Sequence, residues 1–197
     1  MEKTKQEIFT KAMQQVNPEM DEAALAYLLE SCLSHTFPKK DEIITAGRKQ
    51  KGIFFLTRGL VRGFYVDAKG DEISIRFINH QGWVTHYTAL ITQTPSQYTF
   101  QCLEECEVVE LPFERILTGY AAFPSLEKLG RLIAESVLIT QQARIESFQF
   151  LDGTQRYEQF VSIYPDLFNR VSLSHLSTYL GIKRQSLSRI RKKMSGH

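Results

Sequence analysis

VSLSHLSTYLGIKRQSLSRIRKKM, residues Val171–Met194, contains no aspartate or glutamate and is crowded with lysine and arginine. From Arg170 onward the chain has seven Lys/Arg and no acid, whereas the preceding 169 residues hold 17 basic and 22 acidic groups. The formal net charge of +2 therefore combines an acidic body with a strongly basic end, an asymmetry that points to a polyanionic partner for that end. Counted from Leu173, the apolar residues Leu176, Leu180, Ile182, Leu187 and Ile190 fall at places four, eight, ten, fifteen and eighteen. Ser177 takes the fifth place and Gly181 the ninth. This is the layout of two helices joined by a tight turn. The apolar places form the wedge between the helices, the fifth must be small where they cross, and the glycine supplies a left-handed backbone.

At about 100° per residue, Leu187, Ile190 and Met194 cluster on one side of the second helix. Gln185, Ser188, Arg189 and Lys192 cluster on the other. Such an outward face fits the major groove of DNA, led by its first turn. Arginine can pair bidentately with guanine and glutamine with adenine, so Arg184, Gln185 and Arg189 are the expected base contacts. Ser172, Lys183, Ser188, Arg191, Lys192 and Lys193 are expected on the phosphate backbone. A membrane-surface helix would need one continuous wide apolar face, which Gly181 and the scattered serines interrupt. A disordered basic tail would not keep the apolar spacing.

Upstream, Ile8, Phe9, Ala12, Met13 and Val16 recur at helical spacing. Asp21 is placed to cap a second helix carrying Ala24, Leu25, Leu28 and Leu29. From about His35 to Leu111 the pattern becomes that of short strands punctuated by turns. In Ile73–Phe77 the apolar residues Ile73, Ile75 and Phe77 lie on one face and Ser74 and Arg76 on the other, the alternation of a strand. After Pro124 a proline-free stretch, Ser125–Phe150, reads as one long helix of roughly 39 Å at about 1.5 Å per residue. Its surplus of apolar positions predicts a partner helix and hence a homodimer. Phe150–Thr154 reads as a hinge, followed by a short helix over Arg156–Tyr164 that ends before Pro165.

The chain has 197 residues, 43% apolar and 23% charged, as in ordinary globular domains. It has no run of about eighteen apolar residues, and its polar first residues resemble no secretory signal. A cytoplasmic location is the expectation. Cys32, Cys102 and Cys106 make no disulfide framework. Read as lying on one strand, Cys102 and Cys106 would stand roughly 13 Å apart, too far for a bridge; all three are expected as buried free thiols. His35, His80, His86 and His175 show no metal-ligand spacing. Without a phosphate-cradling loop, nucleophile elbow or metal set, no enzyme is expected.

Taken in order, the roll, the long helix and the helix pair resemble the cyclic-AMP receptor protein / fumarate-nitrate regulator (Crp/Fnr) family. The resemblance rests on Ala46-Gly47 with Ile53–Gly59, on Phe150–Arg156, and on Leu180–Arg189. It implies an α+β chain with helices and a cyclic-nucleotide-binding-like β-roll (a jelly-roll-type double-stranded β-helix) over 1–123. A dimerisation helix over 124–151 and a helix-turn-helix domain over 152–197 would follow, lacking most or all of the family's wing. It implies a homodimeric transcription regulator partnered by double-stranded DNA and, through the promoter, by RNA polymerase. Family members that bind cyclic nucleotide carry Gly-Glu followed by Arg-Ser/Thr-Ala. Here Thr85-His86 and Ser96-Gln97 stand at those places, and Gln141-Gln142 at the base-facing hydroxyl pair. Burying a cyclic phosphate without a cation is costly, so cyclic AMP is not expected as the effector, and no cofactor is expected. Thr85, His86, Ser96, Gln97 and Gln141 are the pocket residues that the resemblance implies for an unidentified small molecule. The alternative is a small-molecule-sensing or protein-docking module without specific DNA binding.

Overall fold

The computed structural model describes residues 4–79 and 81–194. Helix α1, Lys5–Val16, opens on a reciprocal cap: the Glu7 amide donates to the Thr4 hydroxyl and the Thr4 amide to the Glu7 carboxylate. Each satisfies a donor that a helix start leaves unpaired. In α2, Glu22–Glu30, Asp21 caps as its sequence position predicts, accepting from the Ala24 amide at 2.8 Å.

Eight strands follow in two four-stranded sheets. β1 (Leu33–Phe37), β8 (Cys106–Pro112), β3 (Gly52–Arg58) and β6 (Gly82–Val84) lie in that spatial order in one sheet. β2 (Glu42–Ile44), β7 (Thr99–Cys102), β4 (Val61–Val66) and β5 (Glu72–Ile78) form the other. β8 is antiparallel to both neighbours, with Val108 opposite His35 on one side and Leu56 on the other. The first sheet is covered on both faces. Phe54, Leu56, Val84, Cys106 and Val108 pack toward Ile44, Val61, Ile78, Phe100 and Cys102 of the second sheet. Phe55, Val109 and Leu111 pack toward Phe9, Met13, Ala24 and Leu28 of the first two helices and Leu126 and Leu129 downstream. That double burial is why Ile53–Leu56 and Val108–Leu111 read as nearly continuous apolar runs. Each such side chain stabilises the fold by roughly 1.5–3 kcal/mol.

Three helices complete this part of the chain. A short α3, Tyr87–Thr92, and α4, Phe113–Ala122, were not legible as helices from apolar spacing. In α4, Gly119 sits where a Cβ would come within 2.9 Å of the Tyr27 ring. The long helix α5 runs Pro124–Phe150, 27 residues, close to the expected span. Gly82, read in the sequence as the end of a strand, begins β6.

The chain divides into two compact units, 1–63 with 77–136 and 64–76 with 137–197. This differs from the segmentation 1–123, 124–151 and 152–197 in where it assigns the β4–β5 hairpin tip. On the polar face of β5, Ser74 is covered. Ser74 is 1% exposed; its amide donates to the Thr178 hydroxyl at 3.1 Å, and the two hydroxyls lie 3.0 Å apart.

In the second unit, α6 (Gly153–Ile163) begins at Asp152, which accepts from the Thr154 and Gln155 amides. A 3-10 turn at Pro165–Leu167 leads to α7 (Leu173–Leu180) and α8 (Arg184–Met194). Tyr157, Phe160, Leu167, Val171, Leu176, Leu180 and Leu187 are its buried core. Ser177, 6% exposed, is the small residue at the helix crossing. Gly181 has φ +64°, and the Ile182 amide reaches back to the Ser177 carbonyl at 3.0 Å, so the turn closes α7 in a left-handed cap. The expected lack of a wing concerns residues after Met194, which lie outside the described residues.

A Cβ at Gly181 would meet the Phe148 ring at 2.9 Å as well as the strained backbone. Gly181→Ala is expected to lower unfolding free energy by about 1–2 kcal/mol. Urea denaturation checks this; an unchanged midpoint would show that the turn does not need the left-handed conformation.

Candidate functional site

In the second unit, α7 fixes the attitude of α8. Ser172 caps α7, its hydroxyl accepting from the His175 amide at 3.1 Å. At the other end two cations hold carbonyls that the helix leaves open. Arg144 donates to the Tyr179 carbonyl and Arg156 to the Leu180 carbonyl, both at 2.9 Å. Their guanidinium groups also lie over rings, Arg144 at 4.0 Å from the Tyr179 centroid and Arg156 at 4.9 Å from that of Phe148. Positive charge at a helix C-terminus and over an aromatic face is favourable on both counts. Burial draws Arg144 below the ordinary arginine range, an effect that the Tyr179 contacts oppose. Sequence reasoning missed both arginines as positioning residues, because they lie outside the two-helix pattern.

With α7 held, α8 turns Leu187 inward at 0% exposure. Arg184, Gln185, Ser188 and Arg189 line one open surface with Leu173. The structure thus brings together the three residues expected at bases and one of those expected at the backbone. Lys183, Lys192 and Lys193 are also exposed. Arg191 departs from its expected place. It lies 4.1 Å from the Phe168 ring centroid, on the inner side of α8. Its spacing, two places beyond Arg189, is that of the half-buried flank. An outward helix face carrying two guanidiniums and a carboxamide can donate bidentate hydrogen bonds to planar acceptors.

The roll of the first unit holds a separate polar cluster. Gln50, 6% exposed, donates to the Thr85 hydroxyl at 2.7 Å and accepts from the His86 amide at 3.0 Å. His86 Nδ1 lies 3.1 Å from Ser96 Oγ, and the Gln97 amide donates to the same nitrogen at 3.4 Å. The Ser96 hydroxyl donates to the Tyr98 carbonyl at 2.7 Å, and the Tyr98 ring centroid is 4.5 Å from that of His86. The structure therefore brings Thr85, His86, Ser96 and Gln97 together. Gln141 is exposed on α5 in the other unit. Gln50, absent from the expected set, is the buried hub, and only three-dimensional pairing reveals it. Arg62 on β4 is another buried polar residue that the strand pattern did not mark, at 1% exposure, and it has partners within the protein.

Among the described residues no group of three or more His, Cys, Asp or Glu is placed to hold a metal. No helix among them is long and apolar enough to cross a membrane. His35 pairs with Glu110 at 2.7 Å, and His80 lies outside the described residues.

Residues 34–121 match the cyclic nucleotide-binding domain family. Over 179 residues, 85% of each chain, the sequence is 21% identical to the cAMP-activated global transcriptional regulator CRP of Salmonella typhimurium. It is 23% identical over 190 residues, 90% of each chain, to the protein of that name from Pasteurella multocida. Among solved structures, the c-di-GMP-responsive global regulator CLP of Xanthomonas campestris superposes with a TM-score of 0.70 at 16% identity. That match covers 89% of this chain and 92% of CLP. FixK2 of Bradyrhizobium japonicum also gives 0.70, at 12% identity, over 84% and 85% of the two chains. The fold is that of these regulators: a roll like the cyclic-nucleotide-binding domain, followed by a helical region of matching topology. None of these four relatives is an enzyme by its description.

Burial lowers the pKa of His86 below 6.5, and the Gln97 amide aimed at Nδ1 requires a lone pair there. The folded state thus prefers the neutral ring. Its contribution to stability is complete above the unfolded pKa near 6.5 and is lost as pH falls through the lower folded value. The His86 ring is expected to titrate by NMR with a midpoint below 6.5. His86→Gln is expected to lessen the drop in melting temperature between pH 7 and pH 5. A midpoint at or above 6.5 would contradict this account.

Proposed function

We propose that this protein is a homodimeric, sequence-specific DNA-binding transcription regulator of the Crp/Fnr type, not an enzyme, and that cyclic AMP does not control it. The observation that carries the reading is the open face of α8. Arg184, Gln185, Ser188 and Arg189 share one surface, in a segment with seven Lys/Arg and no acid from Arg170 on. In this reading Arg184, Gln185 and Arg189 contact base edges. Ser172, Lys183, Ser188, Lys192 and Lys193 contact the backbone. Arg191 anchors the helix from behind through Phe168.

Dimerisation is supported by α5. Leu138 and Ile139 are 68% and 70% exposed, and Ile145 and Phe150 add to the same helix. Long apolar stretches left open on a helix favour pairing with a second copy. Two recognition helices related by a two-fold axis would address half-sites about 34 Å apart, and RNA polymerase is then the partner at the promoter. Helix 124–151 serves as the dimerisation segment, between a sensing roll and a DNA-binding end.

The selection experiment uses a random DNA pool and the full-length protein. Enrichment of a two-fold symmetric site, with binding that weakens steeply as salt rises, is expected. Arg189→Ala should cost about 1–3 kcal/mol on the selected site while leaving the fold intact by circular dichroism. Equal binding by the variant would remove the assignment.

Cyclic-AMP independence is supported by the roll cluster. Thr85, His86 and Ser96 are neutral hydrogen-bonding groups engaged with Gln50 and Tyr98, and the cassette places carry neither an arginine nor an acid. Calorimetry with cyclic AMP should register no micromolar binding; heat at that affinity would overturn this part of the reading.

A further inference from the structure

On the helix-covered face of the first sheet the packing is incomplete. A cavity of about 40 Å³ lies there, on the scale on which one water needs roughly 10–15 Å³. Met13 of α1, Leu28 of α2, Ile53 of β3, Trp83 of β6 and Leu129 and Ile133 of α5 wall it, all within the first unit. Close-packed interiors rarely keep such a void, because its lining forfeits contacts. Gly130 of α5 also lines it, and a Cβ there would collide with the Tyr120 hydroxyl. The long helix is thus bare where Tyr120 lies over it. Thr85, His86 and Ser96 take no part in this lining. One charged residue does: Arg115 of α4, which is exposed and so marks the open side. Its Nε donates to the Ser31 hydroxyl at 3.0 Å, and its guanidinium carbon lies 4.8 Å from the Tyr27 centroid. Ser31 in turn donates to the Tyr27 carbonyl at 2.7 Å. The guanidinium is therefore held in place. Its two terminal nitrogens have no partner among the described residues, and no acid lines the cavity.

We propose that this cavity binds a small monocarboxylate with a short unbranched apolar tail, the tail among Leu28, Trp83 and Ile133 and the carboxylate on Arg115. An apolar void takes up apolar matter in preference to water. A guanidinium whose Nε is engaged still offers two terminal N–H groups side by side, which match the two oxygens of a carboxylate. With no acid on the lining, nothing in the cavity competes for that charge. Size sets the tail. A methylene and a water are similar in bulk, so the void admits roughly three or four tail carbons. Pentanoate meets all three conditions, whereas acetate lacks the tail and an alkylamine carries the wrong charge.

Trp83 is the only tryptophan in the chain and it lines the cavity, so its fluorescence reports occupancy. Full-length protein is titrated at constant ionic strength with acetate, butyrate, pentanoate and decanoate, and beside them with pentanol and pentylamine. Pentanoate is expected to change the emission saturably below about 10 mM. It should bind about fourfold tighter than butyrate, the gain from one buried methylene. Decanoate should bind no tighter than pentanoate, because the void is finite. Acetate and pentylamine should leave the emission unchanged. Arg115→Gln should weaken pentanoate about tenfold while leaving the pentanol response as it was, a split that a general loss of structure does not produce. Ile133→Phe, which fills the void, should abolish the response; if that variant fails to fold, the probe series and Arg115→Gln decide alone. No saturable change with pentanoate, affinity that climbs through decanoate, or equal responses to pentanoate and pentylamine would each overturn the proposal. Undiminished pentanoate binding by Arg115→Gln would overturn the assignment of the carboxylate's partner.

Discussion

A strand covered on both faces has no freedom of register, and β8 is such a strand. Cys106 and Val108 face the second sheet while Val109 and Leu111 face the helices. A slip of one residue would exchange the two sets and send Glu107 and Glu110 into the opposite layers. Because β8 also pairs with both β1 and β3, its register propagates to the whole first sheet. It also sets where α4 leaves at Phe113. Phe54 and Phe55 obey the same rule one strand over, since adjacent positions feed opposite cores. The roll is thus a three-layer object in which one central sheet organises the layer on either side.

The helical end is organised by a different means. α7 is only eight residues long, too short to be stable by itself. Its start is capped by Ser172, and its last carbonyls are taken by Arg144 and Arg156. Those arginines also stack on Phe148 and Tyr179, so one pair of side chains supplies hydrogen bonds, charge and ring contact together. The result is a rigid shelf against which Leu187 seats α8. Arg191 belongs to this shelf rather than to the outward face of α8.

The features legible in the sequence were those with a periodic signature. The Gly181 turn, Ser177 at the crossing, the α8 face and the cap at Asp21 are all set by local spacing, and the structure places them where spacing does. What escaped depended on contacts far apart in the chain. α3 and α4 are too short to show a period. Strand alternation put Ser74 on the polar face of β5 but carries no sign that Thr178 covers it. Gln50, Arg144 and Arg156 are ordinary polar residues until their partners are seen. Cys102 and Cys106 are buried free thiols as expected, but on two strands, because a turn of three residues interrupts what reads as continuous strand. Thr85, His86, Ser96 and Gln97, which the resemblance implied together, do cluster in the roll, whereas Gln141 lies on α5 in the other unit.

The roll cluster also has a consequence for how the loops around it tolerate change. Gln50 joins Gly52, Thr85 and His86, and Ser96 joins His86 and Tyr98, so segments far apart in sequence share one set of hydrogen bonds. A substitution that removes one member leaves buried Gln50 or Ser96 short of a partner. The cluster is therefore a splice between loops, and damage to any one strand of it is felt by the others.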